Sequence, residues 1–233
     1  MTEVEWLACP ERDWLLDHAM PHMGPRKLRL FACAVMRRLW PLLTDARSRR
    51  AVEVAELLAE EEGYMDGGWR KHYDLCFATY AAARAAEEEI VEGPPHFLAR
   101  AALLTLATVR YAIPYHIKYH ASFVAPLVAN APGKATREAL HIELLAQCRL
   151  VRELCGNPFR PVVVEPAWLR WHDRIVARMA QEIYDEQSFD DLPILADALE
   201  DAGCDQAALL GHCRSGGEHV RGCWALDRLL GKE

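Results

Sequence analysis

Leu28-Arg-Leu-Phe-Ala-Cys-Ala-Val-Met-Arg-Arg-Leu-Trp-Pro-Leu42 is the stretch from which the fold class follows. Leu28, Phe31, Ala32, Val35, Leu39 and Leu42 recur at the spacing of one helix face, and Arg29, Arg37 and Arg38 fall off it. Pro41 has no amide proton to continue the ladder, so it ends or kinks that helix. Thr44 and Asp45 then offer N-caps for a second helix with an Ala51, Val54, Ala55, Leu58 stripe, and Gly63 stands where its C-terminal cap is expected.

The same period continues outward. A third helix is expected from near Trp69 through Tyr73, Cys76, Phe77, Tyr80 and Ala83 toward Ile90, stopped by Gly93-Pro94-Pro95. Helices follow from His96 to about Ala112 and from Pro114 to Val128. Another, carrying Leu140, Leu144, Cys148, Val151 and Leu154, is closed by Gly156-Asn157-Pro158. Arg160-Pro-Val-Val-Val-Glu-Pro166 is too proline-bounded for a helix and is the one expected extended piece. A helix with Ile175, Val176, Met179, Ala180 and Ile183 comes next, then three short ones after Pro193, Asp205 and Gly217. The expectation is an all-α multi-helix bundle with at most one short extended segment near 160–166. It is read as a single helical domain over 1–233, with 1–157 and 158–233 as possible sub-lobes.

Composition bounds the function. Apolar residues make up 52% and charged residues 26% of the 233, a globular balance rather than a disordered one. A formal charge of −7 gives no global attraction to nucleic acid or anionic lipid. No uncharged run between Phe97 and Ala131 reaches the roughly 18 residues a membrane span needs. No leader is legible at the start, so a cytoplasmic protein with reduced, mostly buried cysteines is expected.

Six stretches carry a resemblance: Glu5-Trp-Leu-Ala-Cys9, Arg26-Lys-Leu-Arg-Leu-Phe-Ala-Cys33, Arg47-Ser-Arg-Arg-Ala-Val-Glu-Val-Ala55, Gly156-Asn-Pro-Phe-Arg-Pro161, Ile194-Leu-Ala-Asp-Ala-Leu-Glu-Asp-Ala-Gly-Cys204 and His219-Val-Arg-Gly-Cys-Trp224. They resemble a bacterial protein family found in many copies in large genomes. About residues 60–140 fall outside the resemblance. That family carries no assigned activity, so the resemblance implies kinship without function.

Motifs for phosphate-cradling loops and for a serine-hydrolase elbow are absent. His141-Ile-Glu143 matches half of a zinc deaminase signature, but the Pro-Cys-x-x-Cys half is missing. His141, Cys148 and Cys155 share a stripe at seven-residue steps of about 10.5 Å, too far apart for one metal. His116 and His120 are four apart and can share a face, though no carboxylate motif completes a site there. Eight Lys or Arg residues lie between Arg26 and Arg50 against one acid, Asp45. They read as a local basic patch or as the solvated edge of an apolar stripe, and nucleic-acid binding is not expected.

The sharpest candidate is a metal site of Cys204, Cys213, His219 and Cys223, with His212 as an alternative ligand. A Gly203 stop, an Asp205 cap and a Ser215-Gly-Gly217 turn would fold these residues into a hairpin, with His219 and Cys223 on one helix face. Three thiolates and an imidazole would suit a closed structural zinc site; buried, unligated cysteines beside Trp224 are the other reading. The functional expectation is a non-catalytic helical interaction or regulatory module with a protein partner. The alternative is a metal-dependent enzyme or a zinc-stabilised protein using the C-terminal Cys/His cluster or His116 and His120.

Overall fold

The structure, a computed structural model, describes residues 1–60, 73–90, 94–111, 114–129 and 137–232. It is all-α: twelve α-helices and no strand occur among the described residues. By internal contacts the chain divides into a contiguous unit, Ala8–Arg149, and a split unit made of Met1–Leu7 with Leu150–Glu233.

The contiguous unit is centred on helix α3 (Pro25–Arg37), which follows α1 (Glu3–Ala8) and α2 (Arg12–Ala19). Pro25 sits in its first turn, and the helix gives way to a 3-10 turn over Trp40–Leu42 that contains Pro41. Helices α4 (Ala46–Glu60), α6 (Pro94–Tyr111) and α7 (Pro114–Ala129) all pack against α3, and α5 (Tyr73–Glu89) packs on α4 and α6. With neighbours on several sides, α3 is buried from Lys27 to Met36, and even Arg29, expected off the apolar face, is only 3% exposed. Asp45 caps α4: its Oδ1 accepts the backbone N–H groups of Arg47 at 2.8 Å and Ser48 at 3.3 Å. Gly63 and Trp69 lie outside the described residues.

Carboxylates neutralise much of the basic stretch 26–50. Arg26 pairs with Glu60, Arg37 with Glu56, Arg47 with Asp45 and Glu89, and Arg50 with Glu53. Arg38 pairs with Glu143, which is 1% exposed and also accepts from Gln147, itself bound by Arg12 at 2.8 Å. Glu143 of the His141-Ile-Glu143 triplet is thus committed to an ion pair.

Helix α8 (Arg137–Cys155) ends at Gly156, whose φ of +69° suits glycine and whose N–H closes on the Arg152 carbonyl at 2.8 Å. Residues 150–155 of α8 belong to the split unit, where Arg152 donates twice to the Trp6 carbonyl, at 3.0 and 2.8 Å. Asn157 and Arg160 both bond Glu3. After 161–165, which has no regular structure, come α9 (Pro166–Glu186), α10 (Leu192–Asp201), α11 (Ala207–Cys213) and α12 (Trp224–Leu230). Helix α9 is interrupted at His172, Asp173 and Arg174, which have φ of 42°, 57° and 62°. A single apolar core joins Trp168, Val176, Ile183 and Tyr184 of α9 to Leu195 and Leu199 of α10, Leu209 of α11 and Leu226 of α12.

Gly203 ends α10 in a left-handed turn. The Gly203 N–H bonds the Glu200 carbonyl and the Cys204 N–H reaches back to the Leu199 carbonyl, both at 2.9 Å. Cys204 is therefore the residue after a helix stop, with its side chain in the apolar core. The N-cap of α11 is Gln206 rather than Asp205. No α-helix follows Gly217 directly: residues 214–223 form a loop, and α12 starts only at Trp224. The left-handed φ of 88° at Gly222 and the extended ψ of 125° at Cys223 break the helical path that the His219–Cys223 spacing suggested.

Candidate metal centre

Four side chains of the split unit converge: Glu153 from the last turn of α8, His212 from the last turn of α11, His219 from the 214–223 loop and Cys223 from the N-cap of α12. One ligating atom from each lies within 4.8 Å of the others, so the group could hold a metal ion. Nδ1 of His219 is 3.0 Å from Oε1 of Glu153, and Nε2 of His212 is 3.2 Å from Sγ of Cys223 and 3.5 Å from Oε2 of Glu153. The two imidazoles meet edge to face at 83°, with centroids 5.0 Å apart.

The second ring nitrogen of each histidine is also engaged. Nε2 of His219 lies 3.1 Å from the Ser215 carbonyl, which can only accept, so that nitrogen carries a proton and Nδ1 faces the cluster. This outer contact is the kind that orients a ligating imidazole. On His212 the indole N–H of Trp224 donates to Nδ1 at 3.2 Å. Gly156 supports the indole from behind: a Cβ built there would come within 3.1 Å of the Trp224 ring.

Electrostatics without a metal follow from burial and the Glu153 charge. Burial lowers the pKa of His219, but the hydrogen bond and charge of Glu153, with the Ser215 carbonyl, outweigh it and hold His219 above the ordinary histidine value. His212 is lowered, mainly by burial and also by His219, against the pull of Glu153. Burial, reinforced by Glu153, pushes the Cys223 thiol well up. A His219 imidazolium bonded to the Glu153 carboxylate, beside a neutral His212 and a Cys223 thiol, is the protonation pattern these contacts support. A bound cation would take the place of the acidic protons of that set.

His219 and Cys223 belong to the converging four, as does His212, the alternative ligand of the sequence reading. Cys204 and Cys213 do not. Both are buried in the apolar core, and burial raises the Cys204 thiol and pushes that of Cys213 up to about 12. Glu153 is the member that sequence reasoning passed over, because on a helix read for its Leu144, Cys148, Val151 stripe it looks like solvated surface. One signal was available. Glu153 sits two residues before the end of α8, where the helix dipole disfavours an anion, so a nearby positive group is expected to compensate it.

The other histidine pair does not form a comparable group. His116 is exposed, whereas His120 is buried with Nε2 2.8 Å from the Thr105 hydroxyl, which itself donates to the Ala101 carbonyl. Burial depresses the His120 pKa to about 4. Among the described residues, no group of three or more metal-ligating side chains includes either histidine.

No helix among the described residues is long and apolar enough to cross a membrane. No protein-family model, curated protein or solved structure matches this chain.

Proposed function

We propose that this chain is a non-catalytic helical module whose split unit is stabilised by a zinc ion held by Glu153, His212, His219 and Cys223. The carrying observation is the convergence of one carboxylate, two imidazoles and one thiol within 4.8 Å. A thiolate with imidazoles favours zinc over magnesium or calcium, which prefer all-oxygen shells. Four protein donors complete a tetrahedral shell and leave no position for a reacting water, the pattern of a structural rather than a catalytic site. Burial of Glu153 and Cys223 agrees with that role. The site ties the end of α8 to the end of α11 and the start of α12, the last two being joined in sequence by the ten-residue loop 214–223. Interaction with a protein partner remains the working role of the module, and the exposed Val163 and Ile194 of the split unit supply apolar surface for it.

The test is elemental analysis of protein purified without chelator, followed by thermal melting before and after metal removal. One zinc per chain, a lower melting temperature after chelation, and loss of the metal in Cys223→Ser and His219→Ala support the reading. Metal-free protein whose melting is indifferent to added zinc rejects it.

A further inference from the structure

Around α9's interruption, the split unit carries an open groove of about 1030 Å³ whose lining includes Arg170, Arg174, Arg178 and Arg228, with Asp173 as the one carboxylate among the described lining residues. Several other arginines of this acidic chain sit against acids: Arg214, for example, is clamped between Asp197 and Glu200. Arg170, Arg174 and Arg178 differ, since none of them forms an ion pair among the described residues. Four guanidiniums lining one groove against the single carboxylate of Asp173, in a protein of net charge −7, make a local excess of positive charge that an anion would neutralise.

Guanidinium forks match phosphate oxygens two at a time, and several forks around one groove fit linked phosphates better than a single carboxylate. The remaining wall is apolar, with Leu169 and Leu230 among its residues, and the volume is that of a small-molecule site rather than of a lone inorganic ion. We infer that this groove binds a small molecule carrying two or more linked phosphates on an apolar or planar body, a nucleoside di- or triphosphate in its chemistry. The inference is independent of the metal centre, since no groove residue belongs to the converging four.

The experiment is calorimetric titration of the full chain with inorganic pyrophosphate and with ATP, in low-salt buffer free of other polyvalent anions. Pyrophosphate is expected to bind, ATP to bind more tightly because its base covers the apolar wall, and both affinities to fall as salt is raised. Arg178→Gln with Arg228→Gln should weaken both ligands by at least about tenfold with circular dichroism unchanged. The same charge change made at Arg50→Gln with Arg84→Gln, in the contiguous unit, should leave binding as it was. Equal affinity in the groove variant, or no binding of either ligand at millimolar concentration, overturns the site. ATP binding no tighter than pyrophosphate overturns the assignment of the apolar wall, and displacement of ATP by short duplex DNA at the same arginines replaces the small molecule with nucleic acid.

Discussion

The indole N–H of Trp224 donates to Nδ1 of His212, and the proton of that imidazole is thereby left on Nε2, pointing at Cys223 and Glu153. A metal ion bound through Nε2 needs the opposite arrangement, with the proton on Nδ1, where it would face the Trp224 donor. Zinc and the Trp224 hydrogen bond therefore compete for one tautomer of His212. Trp224→Phe is expected to tighten zinc binding by up to about fivefold, the equivalent of one hydrogen bond of roughly 1 kcal/mol. Competition with a calibrated chelator measures it, and weaker zinc binding in the variant would remove His212 from the ligand set.

Gly156 bears on the same contact from the other side. Its φ of +69° disfavours any side chain, and an added methyl would meet the Trp224 ring at 3.1 Å. Gly156→Ala is expected to destabilise the protein by about 1–3 kcal/mol. In urea unfolding, an unchanged midpoint would show that the indole moves aside freely.

Gln187 is the reverse case. It caps α9 in the left-handed conformation, φ 55° and ψ 32°, without being glycine. Replacement by Gly should raise stability by about 0.5–1 kcal/mol. A lower melting temperature for Gln187→Gly would mean that the glutamine side chain holds the turn.

His120 makes the contiguous unit sensitive to acid. The unfolded chain takes up a proton at the ordinary histidine value near 6.5, while the folded protein resists it until about pH 4. Stability should therefore fall as pH drops from about 6.5 to 4, by up to roughly 3 kcal/mol, and not change further from this residue below that. His120→Gln should flatten that part of the urea-midpoint profile, and an unchanged slope would place the acid sensitivity elsewhere.

Arg38 and Glu143 form a pair in which Glu143 is 1% exposed. Glu143→Leu takes the carboxylate from Arg38 and from the Gln147 amide, and a loss of about 3–5 kcal/mol is expected. Restoring stability with Arg38→Met in the same chain would show that the Arg38 charge, rather than lost packing, is the cause.

Much of the helical architecture was legible because its punctuation is local. Pro41, Gly156 and Gly203 act through their own backbone geometry and Asp45 through its own side-chain oxygen, and all four stand where the sequence places them. The burial of Arg29 was not legible, since it depends on how many helices surround α3, and a single helix reports only one apolar face. The 214–223 loop misled for a related reason. The spacing of His219 and Cys223 allows a helix, but the left-handed Gly222 acts after the pattern has been read and turns the segment away. The two residues still meet, through loop geometry, and they meet a carboxylate 59 positions before His212 that no spacing rule connects to them.

The two hydrogen bonds that Arg152 donates to the Trp6 carbonyl join residues 146 positions apart, with the whole contiguous unit between them. Translation at about 5–20 residues per second separates their emergence by roughly 7–30 s. All of Ala8–Arg149 is synthesised within that interval and has the opportunity to fold first. Met1–Leu7 must meanwhile stay unengaged, as must any ion destined for Glu153, His212, His219 and Cys223. Assembly of the split unit is consequently a late, long-range closure, and a nascent chain stalled before Arg152 would present the first seven residues without their partner.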